Sequence, residues 1–166
     1  MKKFVWLAAL VLVLTGCSAN AAWETVADTI EPDCPVWTEH TYEIQHGVPA
    51  GMQLAYEAHG EKLYTDGYSE LSVRKFLADD METAVKILSG YEAERLQLIR
   101  TERFGLPQYH FVWCAMSEEG ERLSRAAMIM DGTACYAMVS TVSGDEGSSP
   151  DVDCLSTFGL YMDEGV

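Results

Sequence analysis

The feature that most constrains the fold of this chain is a series of predicted strands that are apolar on both faces. Gln108–Met116, Glu121–Met130 and Thr133–Val142 follow one another, and hydrophobic side chains occur at odd and even positions alike. An antiparallel sheet with one face in water would instead alternate between apolar and polar residues. These strands therefore predict a sheet that is covered on both sides, which means a layered domain.

Turn signals connect the strands into an antiparallel meander. Asp131-Gly132 stands between two apolar runs, and such a pair favours a two-residue hairpin turn because both residues tolerate a positive φ. Ser117–Gly120 predicts the preceding turn, and Phe104–Pro107 separates the meander from a further strand at Glu92–Glu102.

The covering layers are predicted to be helices. Apolar residues within Ser69–Ser89 recur at steps of three and four, which is typical of an amphipathic helix, and Gly90 is well placed to end it. The segment 149–158 begins with Ser-Pro and predicts a short helix over the other face. The expected fold class is therefore α+β, an antiparallel meander sheet covered by helices on both faces in a three-layer α/β/α sandwich.

Weaker signals come before the long helix. Val36–Ile44 predicts an irregular first strand, and the glycine and proline content of His46–Gly51 predicts a loop. His59-Gly60 predicts a hairpin turn between Met52–Ala58 and Lys62–Thr65.

The N-terminus has the form of an export signal. Two lysines precede Phe4–Leu14, an apolar stretch of 11 residues that is too short to span a bilayer. Leu14-Thr15-Gly16-Cys17 follows directly and resembles the lipobox of bacterial lipoproteins, in which the cysteine thiol accepts the lipid. An alternative is cleavage after Ala19-Asn20-Ala21, which would release a soluble protein.

The lipobox resemblance sets the expected organisation of the chain. Residues 1–16 would be a lipoprotein signal peptide, residues 17–33 a tether, and residues 34–166 a single globular α+β domain. The expected location is extracytoplasmic, with the acyl chains of Cys17 anchored in the bacterial membrane, because two or more chains give stable anchoring.

The charge of the chain excludes some partners. There are 26 acidic residues against 11 basic ones, which gives a net charge of −15. Nucleic acids and anionic lipid headgroups require clustered lysine and arginine, so neither is expected as a partner. Besides the lipid bilayer, we expect a protein partner in the cell envelope with a basic or neutral surface.

The cysteines suggest disulfides. Four remain besides the lipidation site: Cys34, Cys114, Cys135 and Cys154. An even number in an exported domain favours two disulfides, and the alternative is that the thiols are buried and reduced. No pair has the C-x-x-C spacing of a redox motif or a zinc ribbon.

The predicted turns allow one disulfide pairing to be ranked below the others. Two-residue turns would place Cys114 opposite Leu123 and Cys135 opposite Met128, on different faces of the sheet. A bond between Cys114 and Cys135 is therefore disfavoured, and the preferred bonds are Cys135–Cys154 and Cys34–Cys114.

The order of elements from about residue 52 to 158 resembles a known family. Gly105-Leu106-Pro107 precedes a strand, Gly120 lies in a turn, Asp131–Tyr136 opens the last strand, and the chain continues with Cys154–Phe158. This pattern resembles small bacterial lipoproteins with a PsbP/Mog1-like domain. The resemblance implies a scaffold for binding and assembly that has no shared catalytic residues.

No motif in the sequence points to catalysis. The histidines His40, His46, His59 and His110 lack a zinc-binding spacing, and the acidic segment 145–153 does not match an EF-hand. We therefore expect no catalytic residue, metal or cofactor, and a non-catalytic binding or assembly module whose surface lies at a sheet edge or on the loops 46–51 and 144–150. The alternative is a cell-envelope hydrolase or metal-assisted enzyme that uses unassigned histidine and acidic residues.

Overall fold

The structure, a computed structural model, describes residues 23–28, 42–117, 120–143 and 152–162. The signal peptide, Cys17, Cys34, His40 and the loop 144–150 lie outside these residues, and what the sequence predicts for them stays a prediction. No helix among the described residues is long and apolar enough to cross a membrane.

The described residues form two antiparallel sheets. In chain order the strands are β1 (Trp23–Asp28), β2 (Tyr42–Pro49), β3 (Gln53–Ala58), β4 (Glu61–Thr65), β5 (Ser69–Leu77), β6 (Ile99–Arg103), β7 (Leu106–Ser117), β8 (Gly120–Met130), β9 (Ala134–Ser143) and β10 (Gly159–Met162). Seven of them form a large sheet in the order β3-β4-β5-β9-β8-β7-β6, and the other three form a small sheet in the order β1-β2-β10. The helices are α1 (Met81–Ser89) and α2 (Val152–Ser156), with a 3₁₀ turn at Ala93–Arg95.

Helix α1 covers one face of the large sheet. The Asp80 carboxylate accepts a hydrogen bond from the Thr83 N–H at 2.7 Å and so caps the helix, which ends at Gly90 with a φ of 77°. Its buried residues Ala84 and Val85 pack into a hydrophobic cluster built mainly from β7, β8 and β9. This cluster is the first half of the core.

The small sheet and α2 cover the other face. Ile44, Leu155, Phe158 and Leu160 from this layer pack against buried residues of β4, β5, β8 and β9. This cluster is the second half of the core, and it contains no residue of β6 and, from β7, only Leu106 at its margin.

Helix α2 approaches β2 closely at one glycine. The Gly47 N–H donates to the Thr157 Oγ1 at 2.6 Å, and the Cys154 thiol donates to the Gly47 carbonyl at 3.2 Å. A Cβ atom at Gly47 would lie only 3.0 Å from the Thr157 Oγ1, so the absence of a side chain permits this contact.

The predicted α/β/α sandwich is wrong. The large sheet is covered on both faces, as its double-sided apolar strands require, but one cover is mainly a second sheet. Among the described residues, α1 is the one helix of seven residues or more, and most of the domain is β-structure. The fold is therefore two packed antiparallel sheets with one helix on the outer face of the larger sheet.

The long helix predicted over Ser69–Ser89 is correct only in its second half. Ser69–Leu77 is the strand β5, in which Leu71, Val73 and Lys75 alternate inward with a period of two. The positions of Val73, Phe76 and Leu77 also fit a helical stripe, so periodicity could not separate the two structures. The strand ends before Asp80, whose capping bond starts the real helix.

Three further segments differ from the sequence prediction. His46–Pro49 belongs to β2 and is not a loop, since its residues pair with Trp23–Val26 of β1. Trp23–Asp28, which falls in the predicted tether, is the strand β1. Gly159–Met162 forms the strand β10, which the sequence analysis did not predict.

The strand registers test the disulfide argument. Cys114 lies opposite Leu123 as predicted, but Cys135 lies opposite Met130, because the turn runs from Asp131 to Ala134 and is two residues longer than expected. Cys114 and Cys135 are free cysteines, and no bond joins Cys135 to Cys154. The thiols of Cys135 and Cys154 lie in different halves of the core, on opposite faces of the large sheet.

Candidate anion-binding cleft

A cleft opens where the cover formed by the small sheet ends. Its volume is about 660 Å³, which is the size of a typical small-molecule site. Its lining comes from β6 and the turn before it, from β7 and β8, and from α2: Gln97, Ile99, Arg103, Gln108, His110, Phe111, Val112, Arg125, Leu155 and Ser156. The second half of the core stops short of β6 and β7, so these strands form a floor that nothing among the described residues fully covers.

Strand register places the polar groups along this floor. His110 of β7 lies between Ile99 of β6 and Ala127 of β8, in the middle of the floor. Arg103 pairs with Leu106 beyond one end of this row, and Arg125 pairs with Val112 beyond the other end. At about 3.4 Å per residue, the backbone rows of the two arginines are about 20 Å apart, and both long side chains line the same cleft.

Neither arginine of the cleft has a carboxylate partner among the described residues. No carboxylate of the described residues lies within 4 Å of the guanidinium of Arg103 or Arg125. Elsewhere in the same ranges, Arg74 bonds Glu61 at 3.0 Å and Arg122 bonds Glu70 at 2.7 Å. The lining also contains no aspartate or glutamate, so the cleft is locally basic in a strongly acidic chain.

The protonation of His110 depends on its burial and on the two neighbouring arginines. Partial burial lowers the pKa of His110, and the positive charges of Arg125 and Arg103 lower it further. The imidazole is therefore uncharged at neutral pH, where it provides one hydrogen-bond donor and one acceptor between the two guanidinium groups.

The arrangement is suited to binding an anion. A guanidinium group forms two parallel hydrogen bonds to a carboxylate or phosphate, and such charge-assisted bonds are the stronger kind. Ile99, Val112 and Leu155 add apolar surface beside them. No aspartate or glutamate of the described residues lines the cleft beside His110.

The other sequence-predicted histidines do not join this site. His46 is completely buried in β2, and neither ring nitrogen has a hydrogen-bond partner among the described residues. Burial lowers its pKa to about 4. His59 lies in the exposed β3–β4 turn with a φ of 55°. In the described ranges, no group of three or more histidine, cysteine, aspartate or glutamate residues is placed to hold a metal ion.

The sequence analysis missed Arg103 and Arg125. It expected a binding surface at a sheet edge, and the cleft does lie beside the edge strand β6. A usable signal was the position of Arg125, which interrupts the inward apolar series of Leu123, Ala127 and Ile129 on β8. A charged residue at an inward position indicates a place where the core ends.

Comparison with known proteins identifies the fold. The chain matches no protein-family model and no curated protein sequence. The solution structure of CyanoP, the cyanobacterial PsbP of Synechocystis, superposes on 88% of this chain and 96% of its own, with a TM-score of 0.51 and 14% identity. A crystal structure from Bacteroides thetaiotaomicron matches 87% of this chain with a TM-score of 0.52 and 9% identity.

This chain spans about half of the Bacteroides protein, 50% of which is covered. LpqN of Mycobacterium tuberculosis, described as involved in cell envelope biogenesis, is a more distant match with a TM-score of 0.46, 12% identity, and coverage of 83% of this chain and 91% of its own. The match to CyanoP extends over nearly the whole of both chains, and this chain accordingly has the PsbP-like fold that its order of elements resembles.

Proposed function

We propose that this chain is a lipid-anchored, extracytoplasmic module that binds an anionic ligand in the cleft between Arg103 and Arg125 and catalyses no reaction. The observation that supports it most is a pair of guanidinium groups that line one cleft and have no carboxylate partner in the part of the chain that the structure describes. Arginines that serve only to keep a protein soluble do not need to line a cleft. The large excess of acidic residues already provides the charge that keeps this chain soluble.

The contents of the cleft favour binding over catalysis. An enzyme of the kind considered above would need a histidine beside carboxylates, whereas His110 stands between two arginines. An uncharged imidazole with a lowered pKa is a weak base, and no carboxylate of the lining is available to orient it.

The location rests on the N-terminal sequence. The apolar stretch followed by Leu14-Thr15-Gly16-Cys17 supports export and acylation. In cells, Cys17→Ala should leave the uncleaved precursor or move the chain to the soluble fraction. A mature chain that starts at Ala22 and has no acyl mass, found by intact-mass analysis, would contradict the anchor.

The proposed ligand differs from the partner expected from net charge. A chain of charge −15 repels anions at long range, but a ligand inside the cleft is much closer to Arg103 and Arg125 than to most acidic groups. Salt screens the long-range repulsion within about 10 Å, whereas the direct contacts in the cleft persist.

Calorimetric titration tests the binding site directly. The full-length chain in nanodiscs of zwitterionic lipid would be titrated with phenylphosphonate, which joins an apolar ring to an anionic head. We expect saturable binding, and a dissociation constant about tenfold higher in both Arg103→Ala and Arg125→Ala, the size of one lost charge-assisted hydrogen bond.

Arg74→Ala is the matched control, because Arg74 already bonds Glu61 outside the cleft. It should bind the probe as tightly as the unmodified chain does. Equal binding by all four proteins, or none by any of them, would contradict the proposed site.

A further inference from the structure

Apart from Lys75, which is buried in the core against Tyr136 and the Tyr42 carbonyl oxygen, the basic residues of the described ranges divide into two groups according to whether a carboxylate lies beside them. Lys62, Arg74, Lys86 and Arg122 each lie within 3.2 Å of a carboxylate oxygen. Four arginines have no carboxylate within 4 Å among the described residues: Arg95, Arg100, Arg103 and Arg125. All four belong to strand β6, to the turn that precedes it, or to the cleft beside it.

Two of these arginines lie on opposite faces of β6. Arg103 lies on the cleft side with Ile99, since alternate residues of a strand share a face. Arg100 pairs with Tyr109, which packs against the half of the core under α1, so Arg100 belongs to the opposite face. The cleft therefore accounts for only part of this group, because a ligand inside it would not reach Arg100.

Strand β6 is also an open edge. It is the last strand of the large sheet, and no strand of the described residues pairs with its outer side. An edge strand directs the N–H and C=O groups of alternate residues away from the sheet. Its surroundings are unusually apolar for an exposed edge, with Ile99 57% exposed, Phe104 63% and Val112 40%.

The opposite edge of the same sheet, strand β3, has no comparable group of unpaired arginines among the described residues. Strand β3 also exposes apolar side chains, Leu54 and Tyr56, but the nearby Lys62 bonds Glu57 at 3.2 Å. Exposed apolar surface is thus common to both edges, and unneutralised positive charge distinguishes β6.

We propose that the β6 edge binds an extended acidic segment of another protein, which adds to the large sheet as an eighth strand. The backbone of the segment would pair with β6, and its alternating side chains would place carboxylates near Arg103 on one face and Arg100 on the other. Glu94 and Glu102 also lie here, but β6 and the turn before it contain three arginines, Arg95, Arg100 and Arg103, against these two glutamates. The cleft side of this inference rests on the proposed function, and the Arg100 side does not.

Two peptides test whether backbone pairing occurs. The first is a fluorescent octapeptide that repeats Val-Val-Glu-Glu, so that an extended strand has glutamates on both faces, and the second is identical except for N-methylation of every second residue along one edge. Both have the same charge, but the methylated edge cannot donate hydrogen bonds. Anisotropy titrations with the full-length chain in zwitterionic nanodiscs should give at least tenfold tighter binding of the first peptide.

Protein variants test the two faces separately. Arg100→Ala should weaken binding of the first peptide several-fold and leave phenylphosphonate binding unchanged, because Arg100 is not in the cleft. The matched control is Arg74→Ala, which should change neither. The first peptide with lysine in place of every glutamate should not bind.

Each remaining outcome is decisive. Equal binding of the two peptides, or an unchanged affinity in Arg100→Ala, would overturn the inference, since attraction would then depend on charge alone. Phenylphosphonate binding without peptide binding would overturn it while the proposed cleft function stands. Selective peptide binding without phenylphosphonate binding would support the edge and contradict the cleft as a small-ligand site.

Discussion

The two faces of the large sheet are covered in different ways, and they bury different chemistry. Under α1 the buried residues are apolar except for Ser124, whose hydroxyl bonds that of Thr141 at 2.9 Å. Under the small sheet the core also contains the ionisable residues His46, Lys62 and Lys75. Every buried histidine or lysine side chain of the described residues is thus on one side of the sheet.

Lys75 shows how such a residue is accommodated. Its ammonium group lies 5.3 Å from the centre of the Tyr136 ring and 3.5 Å from the Tyr42 carbonyl oxygen. The Tyr136 hydroxyl in turn donates to the Asp131 carboxylate at 2.8 Å. Burial lowers the pKa of Lys75, while the negative charges of Asp131 and Glu43 oppose that shift.

The difference explains where the candidate site lies. On the face under α1, buried residues of β7 such as Phe111 and Trp113 belong to the core. On the other face the core ends at β8 and reaches β7 only at Leu106, so the same strand becomes the floor of a cleft. A cover that is shorter than the sheet beneath it leaves room for a ligand.

The largest expected effect is a loss of stability when one buried phenylalanine is removed from either half of the core. Phe158→Ala and Phe111→Ala should each lower the free energy of unfolding by about 3–5 kcal/mol, because each removes a buried ring. Urea titration measures both losses. Hydrogen exchange should separate them: Phe158→Ala should deprotect the amides of β2 and β10 more than those of α1. Equal deprotection of both faces would mean that the two covers unfold as one unit.

The next effect is a pH dependence confined to the small-sheet face. The pKa of His46 is about 4 in the folded protein and 6.5 as its ordinary value. The unfolded chain therefore binds more protons between these values, and stability falls as the pH falls from about 6.5 to 4, by about 3 kcal/mol. His46→Phe should remove most of this loss. Urea titrations at both pH values measure it, and an unchanged slope in the variant would exclude His46 as the cause.

A smaller effect is expected on the face under α1. Asp80→Ala removes the carboxylate that caps the Thr83 N–H and should lower the free energy of unfolding by about 1 kcal/mol. Asp80→Asn retains a capping oxygen and should recover most of the loss. If both variants lost the same amount, charge at the helix terminus would be responsible instead of the cap.

The smallest effect concerns reactivity and leaves stability unchanged. A thiol reagent should modify the exposed Cys114 in the folded protein and reach the buried Cys135 only on unfolding. Burial also raises the pKa of the Cys135 thiol, which slows its reaction further. Mass spectrometry after brief labelling measures both. A Cys114 that reacts only after reduction would support the bond to Cys34 predicted from the sequence.

Local signals predicted the meander and failed for the small sheet. The turn at Ser117–Gly120 fixes the β7–β8 register, and Cys114 faces Leu123 as the sequence indicates. The small sheet pairs residues far apart in the chain, such as Leu160 with Ile44, and no local pattern specifies that contact. Strand β5 was missed because its inward positions include Lys75. A pattern that sorts residues only into apolar and polar places a lysine in solvent.

The candidate site was only partly predictable for a similar reason. The sequence predicted a binding surface at a sheet edge or on the loops 46–51 and 144–150, and the candidate cleft lies beside the edge strand β6. Whether Arg103 or Arg125 has a carboxylate neighbour is a property of the tertiary structure, and in the sequence only the inward position of Arg125 on β8 gave a signal. The absence of partners, more than the presence of arginine, marks the site.

The pairing of β10 with β2 has a consequence for how the chain completes its fold during synthesis. The layer over the second half of the core needs β2 from the beginning of the domain and Gly159–Met162 from its end. The Gly47–Thr157 hydrogen bond spans 110 residues, and contacts this distant in sequence form late and slowly. Until the last residues emerge, Tyr136 and Met138 of β9 remain exposed to water, so a truncated chain would present an apolar surface to its neighbours.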